Sequence, residues 1–175
     1  AALAYGFNTK KDEKIVVYDF GGGTFDVSVL EVSNDVIEVK STDGDSHMGG
    51  RDIDQKIIAW IADEFKKQSG VDVTKDPLAL QRLDEAAEKA KIELSTTPET
   101  EINIPFITST DAGPQHLLLK MNQAKLIELS KEYIDRSIEI TKRAMEASPF
   151  KMSDINEIIM VGGQTRMPAI VEAVK

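Results

Sequence analysis

Hydrophobic and polar residues alternate with a period of two in some stretches of the chain and of about three and a half in others. Lys14 to Phe20 (KIVVYDF) is almost continuously apolar, the pattern of a strand covered on both faces and therefore central in its sheet. Beyond Gly21, Gly22 and Gly23, the residues Phe25, Val27 and Val29 alternate with Thr24, Asp26 and Ser28, which predicts a second strand. Ser33, Asn34 and Asp35 read as a turn, Val36 to Thr42 alternate again, and Asp43, Gly44 and Asp45 end the run. Connections this short make the three strands an antiparallel meander.

The period then lengthens. Ile53, Ile57, Trp60, Ile61 and Phe65 recur at helical spacing between Gly50 and Gly70. A second helix starts at Asp76 and Pro77 and runs to about Leu94, with Leu80, Leu83, Ala87, Ala90 and Leu94 on one face. At this length that stripe reads as core packing ahead of a coiled coil or a cofactor site. Glu101 to Ile107 and Leu117 to Met121 predict a hairpin around a loop with Asp111, Gly113 and Pro114. The longest helix covers about Asn122 to Ala147, with Leu126, Leu129, Tyr133, Ile140 and Ala144 on one side and Ile127, Ile134 and Ile138 beside them, which predicts a well-buried helix. Ser148 and Pro149 break it, and the strand Glu157 to Val161 feeds Gly162, Gly163 and a last helix from Pro168. The order predicts an α/β fold, a sheet layer interrupted by a smaller inserted α+β subdomain.

Composition narrows the chemistry. A chain of 175 residues that is 41% hydrophobic and 29% charged is a globular domain, or one domain carrying an insertion. It has no cysteine, which excludes disulfides, thiol nucleophiles and thiolate metal sites. A formal charge of −9 has the wrong sign for nucleic acid and reads as a solubility device ahead of a docking site for a basic partner. His47 and His116 are its only histidines, thin material for a histidine metal site or a catalytic triad. Ala1 to Gly6 carry neither an initiator Met nor a signal-peptide pattern, and a helix that stops at Lys175 without Gly or Pro reads, like them, as a cut from something longer.

Two glycine turns carry candidate chemistry. In Asp19-Phe-Gly-Gly-Gly-Thr24, a hydroxyl and the carboxylates of Asp19 and Asp26 surround a loop of bare N–H groups, and Thr24 and Asp26 share a face. That donor set suits a phosphate with Mg²⁺ held through water. No G-x-x-x-x-G-K-[ST] or G-x-G-x-x-G is present, and the DFG triplet at Asp19 lacks the other kinase motifs. In Gly162-Gly-Gln-Thr-Arg-Met-Pro168, Thr165 is the expected N-cap of the last helix; on chemistry alone this is equally an ordinary strand-to-helix turn. Glu88, Lys91 and Ser95, spaced i, i+3, i+7, form a polar stripe that by itself reads as a solvated face.

Taken together, YDFGGGTFDVSVLEV, GDSHMGGRDID, LQRLDEAAEKAKIELS and IIMVGGQTRMPAI resemble the bacterial form of the 70-kDa heat-shock chaperones, the DnaK family, along essentially the whole chain. The resemblance implies the second lobe of an actin-like ATPase (ribonuclease H-like) fold. Residues 1–48 and 129–175 would form its larger subdomain, with 49–128 inserted as the smaller one. It further implies that Gly21, Gly22 and Gly23 hold the β- and γ-phosphates of ATP or ADP, that Thr24 is catalytic at the γ-phosphate, and that Asp19 and Asp26 hold Mg²⁺ through water. Gly162, Gly163, Gln164, Arg166 and Met167 would form the adenosine motif, and Glu88, Lys91 and Ser95 would contact ribose and adenine.

Gly49 and Gly50 match the family's hinge, Arg51 stands where the family usually carries an acidic residue, and Ile92 and Gln164 agree with bacterial members. Implied partners in the intact, cytoplasmic, stress-responsive protein are a GrpE-type nucleotide exchange factor, a J-domain co-chaperone and unfolded peptide, without nucleic acid or membrane. The other lobe, with its catalytic lysine, and the peptide-binding domain are not in this sequence. Half a cleft is expected to bind nucleotide weakly and hydrolyse little, as a monomer. An isolated lobe acting only as a docking module for the exchange factor is the alternative, and a sugar kinase or filament relative is a third reading that GGQTRMP and EKAKIELS oppose.

Overall fold

The computed structural model describes residues 12–34 and 36–175; the expectations for Ala1 to Gly6 and for Asp35 lie outside them. The chain forms two compact units, Ala1–Gly50 with Glu132–Lys175, and Arg51–Lys131. Among the described residues no helix is long and apolar enough to cross a membrane.

In the first unit, β1 (Glu13–Phe20), β2 (Phe25–Ser33), β3 (Val36–Asp45) and β6 (Glu157–Val161) form one sheet in the order β3-β2-β1-β6, antiparallel except for the β1–β6 pair. β1 lies between β2 and β6, so both its edges are paired, and the consecutive residues Ile15, Val16, Val17 and Tyr18 are buried on both its faces. Ile15, Val17, Leu30, Val32 and Ile159 form the core on one face. Tyr18, Phe20 and Phe25, all fully buried, stack edge to face on the other, with centroids 4.8 to 6.3 Å apart. Tyr18 shares a 2.6 Å hydrogen bond with the Ser137 hydroxyl, which itself donates to the Ile134 carbonyl at 2.7 Å.

β3 does not end at Asp43 as its composition predicts; it runs on to Asp45, and the reason is tertiary. Asp43, Gly44 and Asp45 pair with Val27, Asp26 and Phe25. The carboxylates are met from the helix α3 (Gln123–Ala147) by Arg143, 2.9 Å from Asp43, and Arg136, 2.5 Å from Asp45. The register shift opposite Val29 and Leu30 leaves Lys40 of β3 without a partner in β2, and its ammonium lies between Glu31 and Glu38, at 2.9 and 2.8 Å.

The second unit holds α2 (Pro77–Glu93) against the hairpin of β4 (Glu99–Thr110) and β5 (Gly113–Asn122), with Arg51–Ser69 of the helix α1 (Gly50–Ser69). Asp76 caps α2 by accepting from the Leu78 and Ala79 N–H groups at 2.9 and 3.3 Å, with Pro77 at the first position. The buried stripe of α2 is Ala79, Leu83, Ala87, Ala90 and Leu94; Leu80, expected there, is half-buried. The hairpin is longer and its turn tighter than the composition suggests. Pro114 sits inside β5 opposite Ser109, tolerated because a two-stranded sheet has only edges.

Between Ile104 and Thr108 the register breaks, and Phe106 takes a positive φ of 53°. Arg82 secures that kink by donating to the carbonyls of Pro105 and Phe106 at 2.7 and 2.8 Å. α3 is buried on one stripe only, through Leu126, Ser130, Ile134, Ser137, Ile140 and Ala144. Ile127 is exposed, which corrects the expectation of a largely buried helix. Ser130 and Ser137 fit the stripe because each hydroxyl donates back to its own helix.

Candidate functional site

The glycine loop closes β1 onto β2 at the top of the first unit. Asp19 and Asp26 are direct cross-strand partners, so their carboxylates share one face one rung before the last pair, Phe20 and Phe25, that closes onto the turn. The Thr24 hydroxyl donates to Asp26 Oδ2 at 3.2 Å, as the two-residue period requires. Like charges directly opposite one another are unfavourable in a sheet, and among the described residues the hydrogen bond to the Asp26 carboxylate is the one from that hydroxyl. Among the described residues no three His, Asp or Glu side chains cluster to cage a metal. Two carboxylates near the loop end of the β1–β2 pair, one half-buried and one exposed, fit instead an ion that keeps its waters, which is the chemistry of Mg²⁺.

The glycines around this edge divide by what requires them. A Cβ on Gly49 would lie 2.4 Å from the Gly22 carbonyl oxygen, and one on Gly44 would lie 2.6 Å from that of Phe25. Gly162, with φ of 92°, would press a Cβ to 2.3 Å from the Phe20 carbonyl oxygen. Folding therefore needs these three to be small. Gly22 and Gly23 differ, because an added Cβ on either meets nothing within 4 Å and neither φ is positive. Both are exposed, and among the described residues no turn hydrogen bond uses their N–H groups.

The N–H of Gly21 is committed. It donates to the Thr24 carbonyl at 3.0 Å, while the Gly21 carbonyl accepts from Gly50 at 2.9 Å. The expectation of a three-glycine donor set thus contracts to Gly22 and Gly23, with Gly21 closing the turn.

The second glycine turn follows β6. Gly163–Arg166 make a single 3₁₀ turn before α4 (Pro168–Val174), and Met167, not Thr165, stands at the N-cap position. Thr165 is buried and its hydroxyl donates back to the Gly162 carbonyl at 2.6 Å, which is why it cannot cap α4. Gln164 and Met167 are also buried, with Gln164 Nε2 3.4 Å from the Met167 sulfur. Their side chains shape the turn from inside, and the exposed residues are Gly163 and Arg166.

In the second unit, Glu88, Lys91 and Ser95 do lie along one side of α2 and its end, but Lys91 is not simply solvated. Its ammonium lies 2.7 Å from Oδ1 of Asp54, a carboxylate of α1 that is only 2% exposed. Burial raises the Asp54 carboxyl above its ordinary range, Lys91 opposes that rise, and Glu88 adds to it. The Ser95 hydroxyl donates to the Lys91 carbonyl at 3.4 Å. Arg51 pairs with Asp84 at 3.4 Å across exposed surface, a contact of little energetic weight. Asp54 escaped the sequence reading, although an Asp within the apolar stripe of Ile53, Ile57 and Ile58 was the available signal.

In comparison with known families, the model described as Hsp70 protein matches residues 1–175.

Proposed function

The chain belongs to the Hsp70 family, and on that premise we propose that it is the second lobe of the nucleotide-binding domain of a bacterial, DnaK-type chaperone. Hsp70 proteins are chaperones that act in protein folding and bind ATP and ADP, and membership makes this chain an actin-like ATPase lobe of mixed α/β architecture. In this reading residues 1–48 with 129–175 are the larger subdomain and 49–128 the smaller. Gly22 and Gly23 donate their N–H groups to the β- and γ-phosphates, Gly21 closes the turn, and Thr24 is the catalytic residue at the γ-phosphate. Asp19 and Asp26 hold Mg²⁺ through water, where the ion neutralises phosphate charge. Gly162, Gly163 and Arg166 receive the adenosine on a turn shaped by Gln164 and Met167, and Glu88, Lys91 and Ser95 contact ribose and adenine.

The observation that carries this reading is the glycine pair 22 and 23. Glycine lowers stability in a turn that another residue would occupy as well, and here neither space nor φ demands it. A ligand that approaches the backbone closely gives the demand, and the opposed Asp19 and Asp26 supply the counterion site beside it. In the intact cytoplasmic protein, hydrolysis would set the affinity for unfolded peptide, with a J-domain co-chaperone and a GrpE-type exchange factor as partners. Calorimetric titration of this chain with Mg-ADP tests the reading. Binding is expected, weakened at least tenfold, about 1.4 kcal/mol, by Asp19→Ala and by Arg166→Ala. A folded chain that takes up no Mg-ADP contradicts it.

A further inference from the structure

Asp54 is the one carboxylate among the buried residues described, and it sits in α1 surrounded in sequence by buried Ile53, Ile57, Ile58 and Ile61. Its neighbours in charge are Lys91 and Glu88 of α2 and Arg51 at the start of α1. A buried ion pair is a poor device for stability, because apolar residues of the same shape usually do as well or better. Its presence here calls for a purpose other than packing. Lysine has four rotatable bonds and ordinarily loses that freedom when it meets a ligand. Lys91 is already fixed, 13% exposed and 2.7 Å from the carboxylate.

We propose that Asp54 is a positioning residue for Lys91: its buried carboxylate holds the ammonium in the orientation from which Lys91 reaches the ribose and adenine of the bound nucleotide. The inference rests on the reading of Lys91 given above. Fixing the lysine in the free protein lowers the ordering cost of binding, which is how preorganisation raises affinity. The burial that raises the Asp54 carboxyl is opposed chiefly by the Lys91 ammonium beside it. Ser95 adds a local tie at the same end of α2, through the Lys91 carbonyl.

The test compares wild type with Asp54→Asn, Lys91→Met and the double variant, which removes both charges and keeps a well-filled site should either single variant fold poorly. Each is titrated with Mg-ADP and with magnesium pyrophosphate, well below its unfolding temperature. Positioning predicts that Asp54→Asn weakens Mg-ADP by about the same factor as Lys91→Met, on the order of tenfold. The double variant should lose no more than either, and pyrophosphate should bind all four alike. If Lys91→Met weakens Mg-ADP while Asp54→Asn lowers only the unfolding midpoint, the positioning role is overturned and the reading of Lys91 stands. If Lys91→Met leaves Mg-ADP affinity unchanged, or no variant binds it, the reading of Lys91 falls and the proposal with it.

Discussion

At the scale of single residues, two groups hold measurable free energy. Tyr18 is fully buried, and burial pushes its hydroxyl up to about 12 against an ordinary 10, with the Ser137 hydrogen bond pulling the other way. The folded state therefore holds the phenolic proton more tightly than the unfolded one. That contribution is whole below pH 10 and is lost as pH rises toward 12, at about 1.4 kcal/mol per pH unit. Tyr18→Phe should cost about 1 kcal/mol at pH 7, since Ser137 keeps its bond to Ile134, and should flatten the alkaline fall of stability in urea unfolding. An unchanged alkaline slope would show that another group carries it. Asp26 presents the opposite case. With Asp19 directly across the strand, Asp26→Asn should stabilise the ligand-free chain by up to about 1 kcal/mol while weakening Mg-ADP. Loss of both together would mean that the carboxylates are already reconciled in the free protein.

At the scale of elements, the hairpin end separates packing from binding. Gly49→Ala drives a Cβ into backbone atoms of Gly22 and should cost about 1–3 kcal/mol. Gly22→Ala meets nothing and should leave the unfolding midpoint within about 0.5 kcal/mol, yet reduce Mg-ADP affinity. Equal damage from both in a denaturant titration would undo the distinction. The same element shows what a sequence can and cannot display. β6 coincides with its apolar run Glu157–Val161, and α2 starts where Asp76 and Pro77 place it, because period and cap chemistry are local. The end of β3 was hidden because Asp43 and Asp45 are poor strand formers held by arginines about a hundred positions away. Ser130 and Ser137 look polar in one dimension, and only their bonds back to the helix let them join its buried stripe. Of the candidate site, the shared face of Thr24 and Asp26 was legible from strand alternation, whereas the direct pairing of Asp19 with Asp26 needed the register of β1 on β2. The inward turn of Gln164 and Thr165 was not, since a 3₁₀ turn and a helix start share the same residue preferences.

At the scale of the whole molecule, the residues of the proposed reading fall on both units: Gly22, Gly23, Gly163 and Arg166 belong to the first, and Glu88, Lys91 and Ser95 to the second. Phosphoryl transfer requires charge stabilisation from several sides, so this chain alone should release phosphate from ATP no faster than a buffer control in a malachite-green assay. Turnover above that control would mean that the chain holds a complete catalytic set. The central claim, that the loop of Gly22 and Gly23 is a phosphate cradle, is tested most directly by the backbone amide resonances of the labelled chain as Mg-ADP is added. The account predicts that the amides of Gly22 and Gly23 shift progressively and saturate, while those of Gly70 and Gly113 stay in place. Amides of Gly22 and Gly23 that remain unmoved at millimolar Mg-ADP, in a spectrum that is otherwise folded, would contradict it.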